Sequence, residues 1–148
     1  MNITRKDFLK TAGVLSGGIL LSPLLMKLTG CSAGAESVTE KVKSNEGIVK
    51  YKINGVLNET GDSIVLEIDD TKSKIILMKS GKNNFTAINS ACTHKGCEVI
   101  KRKTFFECPC HNSEFDLKGN VLKGPAEEPL QTFKTEFDGR NTITIFLK

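Results

Sequence analysis

The sequence predicts an all-β fold, an antiparallel sandwich or barrel made of many short strands, over residues 47–148. Three observations predict it. Apolar and polar residues alternate in short runs, turn residues punctuate those runs at regular intervals, and no segment of this part carries a helical period. Val49, Tyr51 and Ile53 alternate with Lys50 and Lys52, and Ile64, Leu66 and Ile68 alternate around Val65 and Glu67. Lys74-Ile75-Ile76-Leu77-Met78-Lys79 is a short apolar run closed by lysines. Phe85 to Ile88 and Thr104 to Phe106 are two further strands, and Ile143, Ile145 and Leu147 alternate to the end of the chain. Gly61-Asp62, Ser80-Gly81, Lys118-Gly119-Asn120 and Asp138-Gly139 supply the turns between them.

The first 46 residues have a different character. Of 21 Lys and Arg and 17 Asp and Glu, residues 1–30 hold Arg5, Lys6, Lys10 and Lys27 against Asp7; the remainder balances at 17 against 16. The basic surplus is therefore N-terminal, and the folded part presents no nucleic-acid surface. A positive start, an uncharged apolar stretch from Ala12 to Met26 and Leu28-Thr29-Gly30-Cys31 have the layout of a secretory signal. Thr4-Arg5-Lys6-Asp7-Phe8-Leu9-Lys10 resembles the twin-arginine export motif, with Lys6 in place of the second arginine. That route carries folded proteins. Leu28-Thr29-Gly30-Cys31 resembles a bacterial lipobox, which implies cleavage before Cys31 and lipidation of its thiol. The competing reading is an uncleaved membrane helix, for which the apolar stretch is short against the roughly 20 residues a span requires. Either way the expectation is a membrane-anchored protein on the exported side, the periplasmic or outer face of a bacterial membrane. Residues 31–46 are small, polar and charged, and read as a flexible tether spanning roughly 20–25 Å on average.

Four cysteines remain after Cys31, and they fall in two short loops, Cys92-Thr93-His94-Lys95-Gly96-Cys97 and Cys108-Pro109-Cys110-His111-Asn112-Ser113. The chain's 2 histidines lie in the same loops. Each loop therefore pairs a Cys with a His and adds one more Cys, a pattern that points to a metal centre. Structural zinc takes such ligands too, but zinc modules favour Cys-x-x-Cys knuckles.

Cys-Thr-His-x-Gly-Cys and Cys-Pro-Cys-His-x-Ser resemble the two cluster-binding boxes of the Rieske [2Fe–2S] family. The resemblance implies a Rieske-type β-sandwich or barrel carrying a two-loop cluster-binding subdomain. It implies that Cys92 and Cys108 hold one iron and His94 and His111 the other. Neutral imidazole in place of thiolate lowers the cluster's negative charge, which raises its potential to about −150 to +300 mV against about −400 mV for all-cysteine plant-type clusters. It also implies a Cys97–Cys110 disulfide between the loops, in keeping with an oxidising location. Ser113 matches a serine whose hydroxyl bonds a bridging sulfide. Gly124-Pro125-Ala126-Glu127-Glu128-Pro129-Leu130 resembles a proline-rich loop that covers the cluster from a third side.

Three departures qualify the match. Lys95 stands where quinol-oxidising members carry leucine at the docking tip. Phe115 stands where they carry a tyrosine bonded to a ligand sulfur, and loss of that bond lowers the potential. The stretch between His94 and Cys108 is short, with Lys101-Arg102-Lys103 as a hairpin tip.

The expected function is one-electron transfer at the exported face of a membrane, between redox partners such as a cytochrome or an oxidoreductase subunit. Three settings follow from the resemblance: a respiratory carrier that does not touch quinol, the iron–sulfur subunit of a quinol–cytochrome c oxidoreductase, and the small subunit of a molybdenum oxidase. Both histidines are used by the cluster, so no independent catalytic site is expected.

Overall fold

The computed structural model describes residues 37–148, and they contain twelve strands and no helix. The export signal, the lipobox with Cys31 and the first part of the tether lie outside the described residues. Among the described residues no helix is long and apolar enough to cross a membrane.

The strands are β1 (Thr39–Val42), β2 (Ser44–Asn45), β3 (Ile48–Lys52), β4 (Ser63–Ile68), β5 (Lys74–Lys79), β6 (Phe85–Asn89), β7 (Ile100–Lys101), β8 (Phe105–Glu107), β9 (Glu114–Asp116), β10 (Val121–Lys123), β11 (Thr132–Phe137) and β12 (Thr142–Phe146). Eight form a barrel-like sheet in the order β1-β4-β5-β6-β11-β12-β3-β2, and four form a small sheet in the order β10-β9-β8-β7. All pairs are antiparallel except β1 with β4, which is parallel.

Alternation builds the larger sheet. Ile64, Leu66 and Ile68 of β4 and Ile143 and Ile145 of β12 turn inward alongside Val49, Tyr51, Ile75, Leu77 and Ala87, all at most 3% exposed. β5 has no polar face to spare. Ile75 and Leu77 fill the barrel core, whereas Ile76 joins a second core with Ile88 of β6, Phe106 and Phe115. An uninterrupted apolar run is what a strand buried on both faces requires. The small sheet therefore rests on the outer face of β5 and β6, and the cysteine loops rest on the small sheet.

Residues 39–45 correct the expectation of a tether running to residue 46. β1 pairs with β4 from Thr39↔Val65 to Val42↔Ile68, and β2 pairs with β3 at Ser44↔Val49 and Asn45↔Ile48. Only Lys43 separates the two strands, so one short segment joins both edges of the sheet. Its side chains, exposed or half-buried, gave no apolar signal. What recruits it is a pair of sheet edges with unpaired backbone N–H and C=O groups.

Candidate metal centre

Two hairpin-like loops with the same backbone carry the cysteines and histidines. In the first, the Cys92 N–H donates to the Cys97 carbonyl at 2.8 Å and the Gly96 N–H to the Cys92 carbonyl at 2.7 Å. In the second, the Cys108 N–H donates to the Ser113 carbonyl at 2.8 Å and the Asn112 N–H to the Cys108 carbonyl at 2.9 Å. The fifth residue of each has a positive φ, 76° at Gly96 and 59° at Asn112. Glycine adopts that conformation freely, and asparagine is among the few other residues that tolerate it.

Each loop is fixed at its base. Ala91 bridges Glu98 and the Val99 N–H donates to Ser90 below the first loop. Below the second, β8 and β9 set Glu107 opposite Glu114, and the like charges are offset by Arg102 at 2.7 Å and Lys123 at 3.1 Å respectively. A disulfide joins Cys97 to Cys110, with Cα atoms 6.5 Å apart. Closing a loop of this 13-residue separation contributes about 3 kcal/mol by restricting the unfolded chain.

The mirrored loops set like against like. Cys92 and Cys108 are free, buried thiols that face each other. The rings of His94 and His111 meet edge to face, centroids 4.7 Å apart. Burial pushes the Cys92 thiol above its ordinary value; the backbone N–H of His94 pulls the other way, the neighbouring Cys108 thiol adds to the rise, and the Lys95 N–H lowers it again. Those two N–H groups aim at the sulfur and favour its anionic form. His94 Nδ1 is buried without a hydrogen-bond partner. A buried ring nitrogen beside paired buried thiols is costly unless something binds there. Among the described residues no three Cys, His, Asp or Glu side chains are placed to hold a single ion. Two sulfurs on one side and two imidazoles on the other suit a binuclear centre with one pair per metal, and the donor set matches the two-thiolate, two-imidazole ligation of a Rieske cluster.

The surroundings gather the remaining residues singled out in the sequence. Ser113 is fully buried, and its Oγ accepts the Ala126 N–H at 3.0 Å, which leaves the hydroxyl proton free to point elsewhere. Phe115 is 0% exposed and packs in the same cluster as Cys92 and Cys108. Gly124 and Pro125, joined by a cis peptide bond, lie exposed on the third loop. Sequence reasoning did not single out Thr93, whose hydroxyl donates to the Glu128 carbonyl at 2.6 Å and ties the third loop to the first. Gly119, named there only as a turn residue, also fixes the third loop. Its N–H donates to Asp116, its carbonyl accepts from Leu130, and a Cβ would meet the Leu130 carbonyl at 3.1 Å. Lys95 is exposed beside His94, and Arg102 sits at the predicted hairpin tip, its N–H donating to Phe105 at 2.7 Å.

Comparison with known proteins gives a consistent picture. The model of the Rieske [2Fe-2S] domain matches residues 54–134. The chain is 33% identical over 86 residues to the cytochrome b6-f complex iron-sulfur subunit of Chlorobaculum thiosulfatiphilum, covering 52% of this chain and 48% of that protein. It is 25% identical over 142 residues to the mitochondrial cytochrome b-c1 complex subunit Rieske of Gallus gallus, covering 94% of this chain and 51% of the relative. The chain thus spans about half the length of these curated relatives. Among solved structures, the ferredoxin of carbazole 1,9a-dioxygenase from Nocardioides aromaticivorans IC177 superposes with a TM-score of 0.51 at 20% identity, over 67% of this chain and 98% of that one, and shares the fold.

Proposed function

The chain belongs to the family of Rieske [2Fe–2S] proteins, whose domain binds a [2Fe–2S] cluster, and on that premise we propose that it carries single electrons between membrane-associated redox partners. The observation that carries this reading is the mirrored pair of loops, which presents two facing thiols and two touching imidazoles. Cys92 and Cys108 would hold one iron, and His94 and His111 the other. When bound, the cluster supplies one reversible electron at a potential of about −150 to +300 mV.

The chain's own residues do the rest. The backbone N–H groups of His94 and Lys95 stabilise negative charge on the Cys92 sulfur. His94 is half-buried with its Nδ1 shut away from solvent, whereas His111 is exposed and offers the more accessible route to a partner. Ser113, oriented by Ala126, would have its hydroxyl proton free to donate to the bound cluster. Phe115 shields the site without offering a hydroxyl, which holds the potential down. The Cys97–Cys110 bridge and the Thr93–Glu128 contact keep three loops together, so little rearranges when charge changes.

The setting we propose is the exported face of a membrane, with the chain anchored through lipidated Cys31 after removal of residues 1–30. The domain would then extend from Thr39, not residue 47, through to residue 148. The names of the relatives, subunits of cytochrome b6-f and b-c1 complexes, support a cytochrome-containing assembly as partner. Metal and acid-labile sulfide analysis of the full chain tests the reading. About two iron and two sulfide per chain are expected; stoichiometric zinc without sulfide overturns it.

A further inference from the structure

The segment 39–45 is fastened to the barrel by two side-chain contacts as well as by its backbone. Ser44 donates to Asp70 at 3.0 Å, and Glu40 accepts the Nδ2–H of Asn54 at 3.0 Å. Asn54 is the hub of the second contact, because its Oδ1 also accepts the Tyr51 hydroxyl at 3.0 Å. Asn54 precedes Gly55, and this is the chain's one Asn-Gly pair. Both residues are exposed. Gly55 has a φ of 93° and open space where a Cβ would stand, and among the described residues its N–H has no acceptor. A side chain after asparagine shields the next backbone nitrogen, whereas glycine leaves it bare.

We propose that Asn54-Gly55 modifies itself and that the product unfastens the segment 39–45. The Gly55 nitrogen loses its proton and attacks Asn54 Cγ. A bond forms between them, the bond from Cγ to Nδ2 breaks, and the amide nitrogen takes up a proton and leaves as ammonia. The imide ring so closed is opened by water at either of its C–N bonds, which leaves aspartate or isoaspartate; nothing is oxidised or reduced. The neighbours suit each step. Negative charge gathers on Oδ1 during the attack, and the Tyr51 hydroxyl already donates there. Burial and the charge of Glu40 raise the Tyr51 pKa to about 12, so that proton is retained in the mildly alkaline water that favours attack. Glu40 accepts from the nitrogen that departs. The product reverses the contact, since a carboxylate at position 54 has no proton to offer Glu40 and sets like charge against it. Freed, residues 39–45 add roughly 24 Å of extended chain ahead of β3.

Peptide mapping by mass spectrometry of the full chain, held for days in mildly alkaline buffer, tests the site. Asn54 should convert before any other asparagine, and faster in the folded chain than in the same chain unfolded in urea. Tyr51→Phe should slow conversion about tenfold, less than an oxyanion donor contributes in a closed active site. A merely structural role for Tyr51 would give faster conversion instead, because the amide is then held less firmly. The consequence for the segment is read by hydrogen exchange at Val65 and Asp69, whose N–H groups donate to the Val38 and Val42 carbonyls at 2.9 Å. Asn54→Asp should lower their protection about fivefold. The inference is overturned by an intact Asn54 while other asparagines convert, by faster conversion in urea or in Tyr51→Phe, or by unchanged protection in Asn54→Asp.

Discussion

The barrel and the loop-bearing small sheet are held together by different means. In the barrel, strands of five or six residues alternate apolar side chains into one core, with Leu66, Ile64 and Ile145 at 0% exposure. The four strands of the small sheet are two or three residues long. Strands that short bury little by themselves. Order there comes from Phe106 and Phe115 packed against β5 and β6, from the disulfide, and from hydrogen bonds that close each cysteine loop. The barrel is a scaffold stable through area buried, and the small sheet is a mount stable through cross-links. A metal cluster would be one more cross-link in the second and almost irrelevant to the first.

Substitutions that separate the two regions test this division. The largest effect is expected from Cys108→Ser, which should abolish iron binding altogether while the far-ultraviolet circular dichroism of the barrel persists; collapse of the β signal would mean that the two regions fold as one. Next comes Leu66→Ala. Loss of buried volume in the barrel should cost about 2–5 kcal/mol in denaturant unfolding, with the midpoint potential of the folded protein unchanged, and a shift in that potential would show that the barrel tunes the site. Phe115→Tyr acts within the mount. A hydroxyl able to reach a ligand sulfur should raise the midpoint potential in a redox titration; a fall or no change would sink this account of Phe115.

The smallest effect belongs to the barrel. Tyr51 is the single tyrosine of a chain without tryptophan. Its phenol donates to Asn54 at 3.0 Å, and burial, with the negative charge of Glu40 nearby, pushes its pKa from 10.0 up to about 12. Because the folded value is the higher one, this contribution to stability is intact below pH 10 and is lost as the pH rises through about 12. Ultraviolet titration of the phenolate should give a midpoint well above 10, and an ordinary midpoint would place Tyr51 in water.

Much of this was legible in the sequence, and the two regions differ here as well. Alternation at Val49, Tyr51, Ile64, Leu66, Ile143 and Ile145 revealed the barrel strands because one face of each is buried. β11 followed the same rule through Phe133 and Phe137, yet both are only half-buried and the strand passed unnoticed. β7, β9 and β10 were illegible because two or three residues cannot display a period. β1 and β2 were illegible because backbone pairing, not side-chain burial, makes them strands. The cysteine boxes stood out by residue type and spacing. The link from Thr93 to Glu128 did not, since its acceptor is a backbone carbonyl 35 residues away that any residue would supply.

Electron paramagnetic resonance of the full chain, first with ascorbate and then with dithionite, tests the central claim most directly. The account predicts a Rieske-type signal from the reduced protein. Its appearance with ascorbate would assign a high potential, and its appearance only with dithionite a low one. No signal with either reductant would contradict the account.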